Sequence, residues 1–215
     1  MSHLRFSGAS DAQQRRALVG IVRDCPVLMA ALETAKAMDL PDWWIVSGAI
    51  YNQVWNALTG RPDMYGVKDI DVFYFDPDTS YEAEDAVIRR GATLFSDEPP
   101  VEIRNQARVH LWSRDHFGRD CPQYHSSRDG IDHFASRTHC VGIRLGHDLE
   151  IYAPFGLRDI FSFRLTPNPV LDNRETHERK AARQSALWPE LEIIPWPTEP
   201  APAARQADRP HRARK

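Results

Sequence analysis

Residues 43–76, WWIVSGAIYNQVWNALTGRPDMYGVKDIDVFYFD, constrain this chain more than any other stretch. The run Trp43–Val46 is apolar and too short for a helix, so it reads as a buried strand. A turn at Ser47-Gly48 follows, and Ile50, Val54, Ala57 and Leu58 then share one helical face. Gly60-Arg61-Pro62 ends that helix. Ile70, Val72, Phe73, Tyr74 and Phe75 are β-branched or aromatic, as a strand prefers. Asp69 and Asp71 stand two apart on that second strand and therefore point to one side. Two carboxylates so placed can share a divalent cation, and a glycine turn opening a helix can receive a phosphate. The segment therefore predicts a metal–nucleotide site.

The rest of the chain predicts an α/β (α+β) domain with a mixed central sheet flanked by helices. Leu18, Ile21 and Val22 followed by Leu28, Leu32 and Ala35 predict two N-terminal helices, with Pro26 opening the second. Thr79 with Glu82 three residues later resembles a capping box before a helix running to about Arg90. Further strands are expected over Val101 to about Trp112, His139–Leu145 and Leu149–Tyr152. Ser113–Arg128 reads as a loop, a short helix is expected at Ile131–Ala135, and a polar helix from Asn173 to about Leu187. Residues 1–196 are expected to form one domain. The proline- and arginine-rich stretch 197–215 is expected to be a disordered basic tail.

Composition narrows the class. The chain has 215 residues, 42% hydrophobic and 27% charged, in the range of globular proteins. A net charge of −3 exerts no global pull on nucleic acid. The three cysteines, Cys25, Cys121 and Cys140, do not suggest a disulfide framework. The chain shows neither a membrane-length apolar run nor a signal-peptide core, so a cytoplasmic protein without membrane association is expected. Cys121, His125, His139 and Cys140 match no compact zinc motif.

Ser47-Gly48-Ala49 at a strand–helix junction, followed by the Asp-x-Asp strand, resembles the DNA polymerase beta-type nucleotidyltransferase superfamily. The stretch SGAIYNQVWNALTGRP with KDID is similar to the head of tRNA CCA-adding and poly(A) polymerase enzymes. GAIYNQVWNALTGRP, DIDVFYFD, NQARVHLW and LEIYAPFGLRDIF resemble more closely a bacterial nucleotidyltransferase-like family of undefined substrate, over roughly residues 15–190. The resemblance implies the polymerase beta-type fold and Mg²⁺- or Mn²⁺-dependent transfer of a nucleoside monophosphate from a nucleoside triphosphate. Asp69 and Asp71 would carry the metal, and Ser47, Gly48, Asn52, Arg61 and Lys68 would bind the nucleotide. A third carboxylate is implied, and two apolar–acid–apolar segments offer it: Glu102 ranks first and Glu150 second. Asn105 and His110 are acceptor or base contacts if NQARVHLW is a strand.

The turn departs from the superfamily pattern in placing serine before a single glycine. Tyr51 stands where related sequences commonly carry an arginine that assists with phosphates, a gap Arg61 or Lys68 would fill. The acceptor is unidentified, and a small one is favoured over RNA. A nucleotide-binding or regulatory module without turnover, or an RNA-binding protein on the same fold, is the alternative.

Overall fold

The computed structural model describes residues 2–118 and 120–198. The tail from residue 199 onward lies outside them. Two helices open the chain, α1 (Asp11–Arg23) and α2 (Pro26–Ala37), with Pro26 in the first turn of α2 where no amide hydrogen is needed. Strand β1 (Trp44–Val46) leads through Ser47 into α3 (Gly48–Thr59), and β2 (Ile70–Tyr74) returns beside β1. Helix α4 (Tyr81–Ala92) then crosses to β3 (Val101–Asn105). Helices α5 (Val109–Phe117) and α6 (Ser127–Asp132) precede the hairpin of β4 (Gly142–Leu145) and β5 (Leu149–Tyr152). A short helix α7 (Arg158–Phe161), β6 (Arg164–Leu165), α8 (Arg174–Leu187) and β7 (Glu192–Ile193) complete the fold.

The main sheet has five strands in the order β3-β2-β1-β4-β5, and β6 pairs with β7 in a separate two-stranded sheet. Only β2 and β3 run parallel in the main sheet, because α4 supplies the crossover that a parallel pair requires. One face buries Ile45, Val72, Ile103 and Ile143 against Leu28, Leu32, Val54 and Trp55 of the N-terminal helices and α3. The other face is thinner. It carries Trp44 and Val46 with Ile131 and Cys140, and Phe73, Phe134 and Tyr152 pack beside them. Asp71 and Glu102 lie on this second face.

Five local expectations need correction. The short helix expected at Ile131–Ala135 is α6, which starts earlier and ends at Asp132. The strand expected to reach Trp112 stops at Asn105, where the Asn105 side chain accepts the Ala107 amide and starts a 3₁₀ turn at Gln106–Arg108 that runs into α5. The alternation of polar and apolar residues in NQARVHLW imitated a strand, but this local side-chain bond offers the backbone another route. The supposed loop Ser113–Arg128 is partly helical, since α5 extends to Phe117 and α6 begins at Ser127. The strand expected from His139 begins at Gly142, and His139 closes a 3₁₀ turn. The cap of α4 is Ser80, whose hydroxyl accepts the Ala83 amide, rather than Thr79. Replacing Ser80 with Ala should therefore cost about 1 kcal/mol in urea unfolding, and Thr79→Ala a few tenths at most. Equal losses would reassign the cap. No helix among the described residues is long and apolar enough to cross a membrane.

Candidate active site

The site follows from strand pairing. Antiparallel pairing sets Val46 of β1 opposite Asp71 of β2, so the residues just beyond, Ser47-Gly48 and Asp69, lie at the same end of the sheet. Parallel pairing sets Glu102 of β3 directly opposite Asp71. In-register neighbours on adjacent strands project to one face about 5 Å apart. Three carboxylates thus gather where α3 begins.

Ser47 makes the turn. Its backbone has φ +56° and ψ −112°, an unusual conformation for a residue with a side chain. Its amide donates to the Val141 carbonyl at 2.8 Å, and its own carbonyl accepts from Ile50 and Tyr51. Gly48 and Ala49 follow at the positive end of a twelve-residue helix, where first-turn amides have no intrahelical acceptor. A Cβ built on Gly48 would meet the nearest protein atoms, Asn52 Nδ2 and the Tyr51 hydroxyl, only at 3.9 Å. The fold itself does not demand glycine there, and the missing side chain leaves the helix start open.

The electrostatics set Asp71 apart. The Asp71 carboxyl is pushed up to about 7, first by burial, then by Asp69 and Glu102, against the opposing pull of Lys180 and Arg104. Glu102 is half-exposed and touches Arg104, two residues along its own strand, at 3.3 Å. No group of three or more His, Cys, Asp or Glu side chains among the described residues is arranged to hold a metal. Asp69 and Asp71 are instead a two-carboxylate set, which suits Mg²⁺ because that ion usually takes its remaining ligands from water and substrate phosphates.

The other sequence candidates separate. Glu150 does not join the acids. It lies on the same face, but β1 and β4 intervene between β5 and β2, roughly 14 Å at the usual strand spacing. There it pairs with Arg144 at 2.7 Å. Arg61 follows the opposite end of α3, about 18 Å of helix away from Gly48, and forks onto Glu190 at 3.0 and 3.2 Å. It cannot replace an arginine at the helix start. Lys68 is exposed on the loop entering β2, next to Asp69. Asn52 is 1% exposed one turn into α3, and its Oδ1 has no partner.

Asn105 points to the opposite face of the sheet from Asp71, with both amide atoms used by neighbouring backbone. It has no group left for a base or sugar. His110 sits on α5 rather than on a strand, and its enclosed Nδ1 lacks a partner. His139 is fully buried and stacked on Tyr51, with ring centroids 4.7 Å apart. Burial holds its pKa well below the usual value. The Cys140 thiol lies 3.3 Å from the Ser136 carbonyl, and burial pushes its pKa up. Both side chains are committed to packing.

Residues 33–193 match a nucleotidyltransferase family. The chain belongs to that family. A solved structure described as revealing a CCA-adding enzyme head domain superposes on this nucleotidyltransferase with a TM-score of 0.67 and 28% identity, over 84% of this chain and 96% of that one. No curated protein matches significantly. Family and fold agree with the polymerase beta-type architecture and support a nucleotidyl transfer function.

The nucleotidyltransferase also brings to this end of the sheet residues that the sequence did not single out. Helix α8 reaches the first turn of α3 through Gln184, which donates to the Tyr51 hydroxyl at 2.6 Å while accepting from His139 Nε2 at 3.2 Å. Lys180 and Arg183 stand on the same helix, and both exert charge on this cluster. The only sequence signal was spacing: His177, Lys180, Ala181, Gln184 and Trp188 recur at three and four, as one helical face does.

Proposed function

We propose that this nucleotidyltransferase moves a nucleoside monophosphate from a Mg²⁺- or Mn²⁺-bound nucleoside triphosphate to a hydroxyl or phosphate oxygen of a small acceptor. The observation that carries this reading is the in-register pairing of Asp71 with Glu102 beside the open start of α3. Asp69 and Asp71 would hold the metal, which supplies neutralisation of charge on the phosphate oxygens. The Gly48 and Ala49 amides orient the triphosphate through the helix start.

Glu102, exposed and one strand away from Asp71, takes the proton from the acceptor hydroxyl as its oxygen bonds to the α-phosphorus. The bond from that phosphorus to the bridging oxygen breaks, and its electron pair leaves with pyrophosphate. A phosphate acceptor that is already ionised needs no such base. Against an RNA-binding role, Trp43, Trp44, Trp55 and Trp188 are buried in the fold and unavailable as stacking platforms.

Pyrophosphate release with each nucleoside triphosphate, across a panel of small hydroxyl and phosphate acceptors, tests the reading. Glu102→Gln should lower turnover about 10²–10⁴-fold with a hydroxyl acceptor, the usual contribution of a positioned base. Glu150→Gln should leave turnover within about twofold, since surface pairs contribute little. The reverse pattern would move the third carboxylate to β5. Triphosphate binding without pyrophosphate release from any acceptor would favour a regulatory module, and Tyr51 in place of an arginine is the feature that keeps that alternative alive.

A further inference from the structure

We propose that Lys180 and Arg183 of α8 form the cationic wall that receives the outer phosphates of the triphosphate and then the departing pyrophosphate. The inference rests on the triphosphate reading above and names residues of that same site.

The geometry begins with Gln184. Its amide bridges two buried rings, donating to the Tyr51 hydroxyl and accepting from His139 Nε2, while those rings stack on each other. Tyr51 lies in the first turn of α3, so this bridge fixes α8 against the helix start. Lys180 is one turn before Gln184 on α8, and Arg183 is its immediate neighbour. The acids that act on Lys180 are Asp71 and Asp69, and Arg183 acts on both Tyr51 and His139. Lys180 thus faces the acids electrostatically, and Arg183 faces the rings that anchor α8 to the start of α3.

Their lack of partners is informative. Arg61, Arg104, Arg108, Arg144, Arg164 and Arg174 all sit within 4 Å of a carboxylate. Lys180 and Arg183 make no ion pair of that length among the described residues, although both are half-buried. Withdrawing a cation from water is costly unless something returns the lost interactions. Lys180 does have the Phe134 ring 5.9 Å from its ammonium, a weak compensation. A polyanion seated between the helix start and α8 would supply the rest. Lys180 acts on Asp71 and Asp69 without an ion pair to either among the described residues, so its ammonium stays available to a phosphate.

A simpler role for Lys180 is counter-charge to Asp69 and Asp71, and the experiment separates the two. Binding of each nucleoside triphosphate, its monophosphate and Mg²⁺ alone is measured for wild type, Lys180→Gln, Lys180→Arg and Arg183→Gln. A phosphate wall predicts that Lys180→Gln weakens the triphosphate about tenfold or more, the loss of one charge-assisted contact, with the monophosphate changed less than about twofold. Lys180→Arg should recover most of that loss, and Arg183→Gln should lose in the same direction.

If Lys180→Gln instead tightens Mg²⁺ and leaves the triphosphate-to-monophosphate ratio unchanged, the wall is overturned and the transferase reading survives. If wild type binds no triphosphate, both fall. Should Lys180→Gln fail to fold, wild type carries the test: tripolyphosphate must slow acylation of the Lys180 amine, and unslowed acylation overturns the proposal.

Discussion

Replacing Asp71 with Asn is expected to abolish transfer and, in the metal-free protein, to raise stability. Both effects come from one carboxylate: Asp71 is half-buried beside Asp69 and Glu102, and desolvation and those charges push its pKa up from the ordinary 3.8 to about 7. An acid whose pKa is higher folded than unfolded is penalised wherever the unfolded chain ionises and the folded one resists. Below about pH 4 both states are protonated and the penalty is absent. It grows between about pH 4 and 7 and is complete above that. At roughly 1.4 kcal/mol per unit this shift corresponds to about 4 kcal/mol, and solvent reaching the half-buried carboxylate brings the full penalty to the order of 2–4 kcal/mol.

Asparagine keeps the shape and removes the charge. Metal-free Asp71→Asn should therefore melt about 5–10 °C above wild type at pH 8, with the difference shrinking towards pH 5. Mg²⁺ should raise the melting temperature of wild type at pH 8 and leave the variant unmoved. Pyrophosphate release should fall at least about 10²–10³-fold, since charge stabilisation at the phosphates is lost. Metal-free melts across this pH range and a turnover assay give both readouts. A variant less stable than wild type at pH 8 would mean that Lys180 and Arg104 already neutralise Asp71.

The part of this site legible in the sequence is the part made by neighbours in sequence. Asp69 and Asp71 alternate with the apolar Ile70 and Val72, and the strand–turn–helix from Trp44 to Thr59 carries its own periodicity. An antiparallel return of that strand brings the acids to Ser47 and Gly48 without further information. Glu102 followed because one helix separates β2 from β3, and a crossover of that kind yields a parallel neighbour. Lys180, Arg183 and Gln184 were illegible because α8 reaches the site only through tertiary packing. Nothing in the order of residues says that a polar helix near the end of the domain will bond to Tyr51. Arg61 misled for the opposite reason: it is near Gly48 in sequence, yet a straight helix holds the two apart.

Asn105 shows how a plausible site residue can belong to the scaffold, and its replacement by Ala should unfold the protein more than it alters nucleotide use. The side chain is 1% exposed. Its Oδ1 accepts from the Asp76 and Ala107 amides, both at 3.1 Å, and its Nδ2 donates to the carbonyls of Asp76 at 2.9 Å and Asp78 at 3.2 Å. One amide thus ties the exit of β2 to the exit of β3 and sets the turn that enters α5. Truncation to Ala leaves these backbone groups in a space that water fills poorly, at about 1–3 kcal/mol for each buried group left without a partner.

A total loss of about 3–5 kcal/mol is expected in urea unfolding, with an unchanged denaturant slope. Asp in its place should also destabilise, because it keeps the two acceptor contacts but sets a carboxylate against two carbonyl oxygens. A base-reading residue would behave differently, shifting the preference among nucleoside triphosphates at nearly constant stability. Selectivity lost without stability lost would return Asn105 to the site. The register argues against that outcome: in the parallel pair Tyr74 lies opposite Asn105, and Asp71 opposite Glu102. Positions three apart on a strand face opposite sides, so the residue that holds the loops together is turned away from the acids by the same pairing that assembles them.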